Sequence, residues 1–359
     1  MDKRKTNLLP VFLLILPIVL NSVQGDKTIL LRQTYMTLEE KEGAFFKNAA
    51  DIDVYDRYFL VVDNIDNRIL KFLMINNNRL DFQRSIGRPG QGPGDLELPI
   101  RISTWNEILA VQDQRGISFF DLDGNFKSRF RIFAGSISFV FSDNKIYYAA
   151  INPTKLDLIE VHSREGQRLY SFADKKELVD FNYNIVKGMS PATAEMAIFN
   201  CELLSDGQYI YLLNRRFGKV AKFSMPGEKV LEGTIIELFG KNELSKAKEN
   251  RRLFLEEGYD FLETRTVPQY YIFRDAKLIG DNIYLLRDQW NFAEKKLDSL
   301  IEIKAIDKGS FELKSSYQAS LSNDERFFSF SVAIEKDRPV FYVLFDTKEG
   351  YKVSKFTPS

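Results

Sequence analysis

Short apolar runs separated by turn residues recur along this chain. The first set reads Asp51-Ile52-Asp53-Val54, a turn, and then Tyr58-Phe59-Leu60-Val61-Val62-Asp63. A polar loop leads to Arg68-Ile69-Leu70-Lys71-Phe72, and Asn76-Asn77-Asn78 breaks the chain before Leu80 to Ile86. Runs of this length, rich in β-branched and aromatic side chains and bounded by Asp and Asn, are strand signals. Four in succession with short connections predict an antiparallel meander.

The pattern returns about fifty residues on. Arg101-Ile102-Ser103 leads to Ile108-Leu109-Ala110-Val111 and Asp113, then to Gly116-Ile117-Ser118-Phe119-Phe120. A turn at Asp121-Leu122-Asp123-Gly124 precedes Phe126 to Ile132. A third unit is predicted over Ile137–Phe141, Lys145–Ala149, Leu156–Val161 and Gln167–Phe172. Three strands are predicted for each of the remaining units. They are Phe199–Leu204, Tyr209–Leu213 and Lys219–Phe223; Tyr271–Leu278, Asn282–Leu286 and Ser299–Ala305; and Phe328–Ile334, Val340–Phe345 and Tyr351–Phe356.

A four-stranded sheet with two apolar faces cannot stand alone, and radial stacking buries both faces while leaving short edges. The predicted fold class is therefore all-β. It is a six-bladed β-propeller of four-stranded antiparallel blades, in one domain over residues 26–359. The last unit stops after its third strand, and Thr28-Ile29-Leu30-Leu31-Arg32-Gln33 is positioned to supply the missing one and close the ring. Two stretches fall outside the meander. Residues 173–195 form a connection containing Gly188 and Pro191. Residues 240–263 predict one short helical insertion, with Asn242 as N-cap and Gly258 just past the C-terminus.

Tyr58 to Phe72, with Val61-Val62-Asp63 and Asn67-Arg68-Ile69, resembles the NHL-repeat consensus. The segment Gly87-Arg88-Pro89-Gly90-Gln91-Gly92-Pro93-Gly94-Asp95, followed by Pro99, resembles the glycine-rich link between NHL blades. The resemblance covers residues 45–130 and the C-terminus best, and 173–270 least. It implies kinship with exported bacterial six-bladed propellers, most of them without an assigned function.

The N-terminus supports export. Lys3, Arg4 and Lys5 precede an apolar run from Leu8 to Leu20, which is too short to span a bilayer core of about 30 Å comfortably. Val23 and Gly25 suit a cleavage site, so residues 1–25 read as a signal peptide; the alternative is an uncleaved anchor. The 359 residues carry 50 basic and 50 acidic side chains, and losing residues 1–25 leaves a net charge near −2. That excludes the basic footprint of a nucleic-acid binder. The expected partners are a protein, a peptide or a glycan. Cys201 is the only cysteine, so no intrachain disulfide forms, and in an apolar strand it reads as a small buried hydrophobe.

Candidate chemistry follows from position. The glycine-rich link lacks the Gly-Lys-Ser/Thr ending and the following helix of a phosphate loop, so its glycines serve the turn between units. Gly188-Met189-Ser190-Pro191-Ala192 is a candidate nucleophile elbow, which needs a strand before it and a helix after it; Pro191 and the loop context argue against that. His162 is the only histidine, which excludes a multi-histidine zinc site and a histidine-dyad lactonase, and its place in a predicted outer strand argues against a Ser-His hydrolase.

Arginine follows the second strand in several units: Arg68, Arg115, Arg215 with Arg216, and Arg287. In a propeller these loops share a face with the inter-blade links. The arginines, with Trp290 nearby, therefore predict a channel mouth that recognises an anionic glycan, peptide or protein partner. The alternative role for these arginines is local ion pairing, Asp63 with Arg68 and Asp288 with Arg287. The rival function is a calcium-dependent hydrolase or lactonase. Its oxygen ligands would be Asp51 and Asp53 on one inner strand and Asn200 and Glu202 in the matching phase of another. Without it no cofactor is expected.

Overall fold

The computed structural model describes residues 28–38, 45–75, 78–131, 136–152, 154–179, 186–187, 190–256, 259–260, 270–322, 325–348 and 350–359. The signal-peptide expectation for residues 1–25, Gly188 and Gly258 lie outside them.

The fold is all-β and propeller-like, made of small antiparallel sheets with few helices. Three sheets are plain four-stranded meanders that begin at Arg101, Ser136 and Cys201. A fourth, beginning at Ala49, carries Thr37–Leu38 as a fifth strand on its outer edge. Eight further strands form one sheet, in which two antiparallel meanders meet at Thr28–Tyr35, and two small two-stranded sheets lie outside the meanders. That strand lies parallel to Leu313–Ser320 through Thr28–Leu30, and antiparallel to Gly350–Pro358 through Leu31–Tyr35. The N-terminal run thus sits beside the last strand as the sequence suggested, with Leu31 opposite Pro358 and Tyr35 opposite Ser354.

The second strand of each meander explains the arrangement. Residues 59–63, 109–113, 146–150, 210–214 and 283–287 are buried without alternation. A strand covered on both faces reads as a continuous apolar run. Alternate residues serve opposite sides. Leu60 and Val62 pack against Leu109 and Val111 of the next sheet. Phe59 and Val61 pack against Val340, Tyr342 and Leu344 of the last meander. Similar clusters fill the other junctions, so every sheet is cemented to two neighbours. Several tight hairpins turn through paired left-handed residues, Asn106-Glu107, Asp143-Asn144 and Lys336-Asp337, as the right-handed strand twist demands.

The innermost strands touch in a closed cycle: Ala49–Tyr55, Arg101–Trp105, Ser136–Ser142, Cys201–Ser205, Phe273–Ile279, Arg326–Glu335 and back to the first. The fourth and fifth meanders also have outer strands that the sequence pattern did not show, Lys229–Thr234 and Leu313–Ser320.

The helical content exceeds the single insertion expected. Pro191–Ile198 is a helix capped by Ser190, whose side chain accepts from the Thr193 N–H, with Pro191 in the first turn. Pro191 begins a helix because a helix's first N–H groups have no intrahelical partner, so proline loses nothing there. The later helix runs Lys241–Arg251 and continues into a π-helical turn, Arg252–Glu256. Its N-cap is Gly240 (φ 99°), two residues before the predicted Asn242, which instead binds the Trp290 carbonyl and the Phe292 N–H.

Candidate functional site

The innermost strand of each meander has a bare edge facing the axis, and unpaired N–H groups there need acceptors. Short polar side chains from neighbouring strands provide them. Asp51 Oδ2 accepts the Ile102 N–H (3.1 Å), Ser103 Oγ that of Phe141 (3.3 Å) and Ser138 Oγ that of Leu203 (3.1 Å). Asp275 Oδ2 accepts the Phe330 N–H (3.1 Å), and Ser331 Oγ that of Val54 (3.0 Å). The polar lining thereby stitches five neighbouring pairs of strands together.

Within this ring lies a cavity of about 470 Å³. Asp51, Arg101, Glu202, Asp275 and Ser329 occupy one register in it. Each lies opposite an equivalent residue of its second strand, respectively Val62, Gln112, Leu213, Leu286 and Leu344. Two charge clusters result. Glu202 accepts from Arg101 through Oε1 and from Arg215 through Oε2, while Arg101 also donates to Ser138 (2.8 Å). Opposite in character, Lys277 Nζ stands 3.8 Å from Asp51 and 3.9 Å from Asp275. Burial pushes the Asp51 carboxyl above the usual range, and nearby Asp275 adds to it. Burial acts on Asp275 too, but Lys277, Arg215 and Arg101 outweigh it and hold that carboxyl below.

Of the five arginines expected at the mouth, only Arg215 lines this cavity. Arg68 donates to the Phe45 carbonyl (2.7 Å) and Asp66 (3.1 Å) and lies 3.7 Å from Asp63. Arg115 donates to the Asp95 carbonyl (3.0 Å) and lies 3.6 Å from Glu97. Arg216 is buried between the rings of Phe254 and Tyr271. Arg287 is buried among Glu243, Asp298 and Glu302, at 2.8–3.2 Å. Asp288, its expected partner, turns to Lys246 (3.4 Å). Arg68, Arg115 and Arg287 therefore tie loops locally, because each meets a carbonyl or carboxylate of its own neighbourhood before it reaches the axis.

Three of the four proposed calcium ligands share the cavity and the fourth does not. Asp51, Asp53 and Glu202 line the cavity, but Asn200 precedes its strand and does not. The carboxylates already face built-in cations: Lys277 for Asp51, and Arg101 with Arg215 for Glu202. Among the described residues no three His, Cys, Asp or Glu side chains group in a way that would hold a metal ion. His162 lies in the third strand of its meander, not the outer one, held by Glu160 (3.3 Å) and beside Tyr148.

Residues that the sequence reading missed, Tyr270, Phe328, Arg274 and Arg326, join Trp290, which it named. A second cavity, of about 500 Å³, is lined by Tyr270, Trp290, Phe328, Arg274 and Arg326 among others. Arg274 and Phe328 line both cavities. The Arg274 guanidinium lies 6.0 Å from the Tyr271 ring and 5.9 Å from that of Phe328. Among the described residues neither Arg274 nor Arg326 has a carboxylate within ion-pair distance, unlike Arg68, Arg115, Arg215 and Arg287. Register would have located Arg101, Asp275 and Ser329, since they share the phase already noted for Asp51 and Glu202.

No protein-family profile matches the chain, and no curated protein does. Solved structures match by shape. A Bacteroides fragilis protein, described as a candidate exported protein, has a TM-score of 0.57 at 12% identity, covering 92% of this chain and 99% of that one. A Bacteroides thetaiotaomicron protein of unknown function gives 0.49 at 10% identity, covering 92% and 76%. An inactivated virginiamycin B lyase of Staphylococcus aureus, solved with quinupristin, gives 0.48 at 9% identity, covering 92% and 100%. The first of these likenesses is one of fold alone; the small antiparallel sheets described above define the class, a β-propeller-like protein.

Proposed function

We propose that this chain is an exported six-bladed propeller that binds an acidic glycan, without catalysis, at one mouth of its central channel. The closed cycle of six innermost strands supports the blade count, with Thr28–Tyr35 completing the last blade. The basic, apolar and small-residue order of residues 1–25 supports export. The exported description of the Bacteroides fragilis neighbour supports the same reading; among the described residues no helix is long and apolar enough to cross a membrane.

The carrying observation is Arg274. It joins the two cavities and packs against aromatic rings, yet has no carboxylate partner among the described residues. A guanidinium held in place and left without its anion is suited to bidentate capture of a carboxylate. Trp290 and Tyr270 beside it offer apolar ring faces for a sugar. Arg326 supplies a second cation at the rim, and Arg215 one inside the channel. This reading replaces Arg68, Arg115, Arg216 and Arg287 as ligand contacts, and keeps Arg215 and Trp290.

Calorimetric titration with oligogalacturonate tests it. Wild-type protein should bind, and Arg274→Gln or Trp290→Ala should weaken binding about tenfold or more while the melting temperature holds. Added salt should weaken binding as well, because exposed charge attraction is screened over ~10 Å at 0.1 M. Absence of binding, or binding indifferent to Arg274→Gln, would overturn the proposal. Preference for poly-glutamate would transfer the site to an acidic peptide or protein. A strict need for calcium would restore the metal-dependent alternative built on Asp51, Asp53 and Glu202.

A further inference from the structure

Ser329 Oγ lies 2.9 Å from Asp51 Oδ1 and 2.8 Å from Asp275 Oδ2. A hydroxyl carries one hydrogen and can donate to only one of them. At the other contact, two lone-pair oxygens would face each other unless that carboxyl brought a hydrogen of its own. Both aspartates are buried, at 8% and 6% exposure, so water does not relieve the clash. The three oxygens therefore need one extra proton.

We propose that Asp51 and Asp275 hold this proton between them through Ser329, and that it makes the channel cavity a site for a single carboxylate group, bound together with the proton. The second half rests on the acidic-glycan reading; the first does not.

Charge counting connects the halves. The cavity is lined by four acids, Asp51, Asp53, Glu202 and Asp275, and four bases, Arg101, Arg215, Arg274 and Lys277. Fully ionised they cancel; with one proton on the acids a single positive charge remains. That excess lies on the arginine side. Glu202 serves two guanidiniums and Arg274 has no carboxylate among the described residues, whereas Lys277 has both Asp51 and Asp275 beside it. One ligand carboxylate, such as that of a terminal uronic acid, restores neutrality.

The groups facing Asp51 locate the proton. Phe273–Ile279 presents Lys277 and Asp275, and Arg101–Trp105 presents Arg101. Arg326–Glu335 presents Ser329 and Ser331, its own strand presents Asp53, and Glu202 and Arg215 lie across the cavity. Burial raises Asp51, whereas the cations hold Asp275 down. Asp51 thus carries the proton and donates to Ser329, which donates to Asp275. Burial raises Asp53 too, but Ser331 (3.3 Å) and the Val54 N–H (2.9 Å) both donate to it, so its contacts call for no proton.

Infrared difference spectroscopy of the ligand-free protein tests the proton directly. At neutral pH a protonated-carboxyl band should be present and should vanish in Asp51→Asn, whose amide N–H replaces the carboxyl proton. It should persist in Asp53→Asn. Oligogalacturonate affinity should then fall, by at most tenfold per pH unit, once pH passes the point where the proton leaves. In Asp51→Asn that dependence should disappear. Absence of the band, or its survival in both Asp51→Asn and Asp275→Asn, overturns the shared proton. If the band is present but oligogalacturonate does not bind, the acidic-glycan reading falls and the shared proton stands. Binding whose affinity ignores pH in the wild type overturns the coupling.

Discussion

Replacing Glu202 by Gln should lower stability and raise anion affinity at once. Glu202 is buried and satisfies two guanidiniums from different inner strands and loops, Arg101 and Arg215. Gln keeps the shape, but its amide N–H₂ must face one of these donors. Two charge-assisted hydrogen bonds, each about 1.5–3 kcal/mol, are lost or weakened. The arginine side chains retain 19% and 15% exposure, so water recovers part of that. The net cost is about 3 kcal/mol, at the lower end of the range for breaking a buried pair. With unfolding entropy of roughly 0.7 kcal/mol/K for a chain of this length, the melting temperature should drop by about 4 °C. Meanwhile the cavity gains one positive charge. At about 8 Å and an effective dielectric near 20, its attraction for a bound carboxylate is worth about 2 kcal/mol before screening, so oligogalacturonate should bind about tenfold tighter. Scanning calorimetry and titration on the same preparation give both numbers. An unchanged or raised melting temperature would refute the account of Glu202 as the shared anion, and weaker binding would refute the sign of the site.

Deleting residues 28–35 should destabilise the protein by about 4 kcal/mol or more. It removes Leu31 from the cluster with Phe327, Phe345 and Phe356 and strips backbone pairing from two strands; an unchanged urea midpoint would show that the N-terminal strand does not complete the sheet. Glu160 is held down to about 2 by His162, with Lys155 and Tyr148 helping against burial. A lowered carboxylate stabilises the fold above its unfolded value and stops doing so as pH falls through the folded one. Stability should therefore decline between pH ~4.5 and ~2, and Glu160→Gln should flatten that decline in pH-dependent denaturation; an identical acid limb in both proteins would contradict it.

What the sequence disclosed and what it hid have a common physical origin. The second strands announced themselves because both faces of every sheet are covered, which forces runs such as Phe59–Val62 and Ile283–Leu286 to be apolar throughout. Outer strands such as Lys229–Thr234 are exposed on alternate residues and carry Lys, Glu and Gly, so only tertiary pairing reveals them. Pro191 misled because a proline that ends one element also opens the next; Ser190 ahead of it was the usable signal. The arginines after the second strands recur in four units, and Arg68, Arg115 and Arg287 each meet a carbonyl or carboxylate of their own loops. A binding site on a ring is different. Each inner strand brings its own side chains to the axis, so Asp51, Arg101, Glu202, Asp275 and Ser329 share a register but not a chemistry. Their partners are also distant in sequence: Ser329 is 278 residues from Asp51, and Arg101 is 101 from Glu202. Repetition identifies what every unit needs, and the candidate site is legible only where equivalent positions stop repeating.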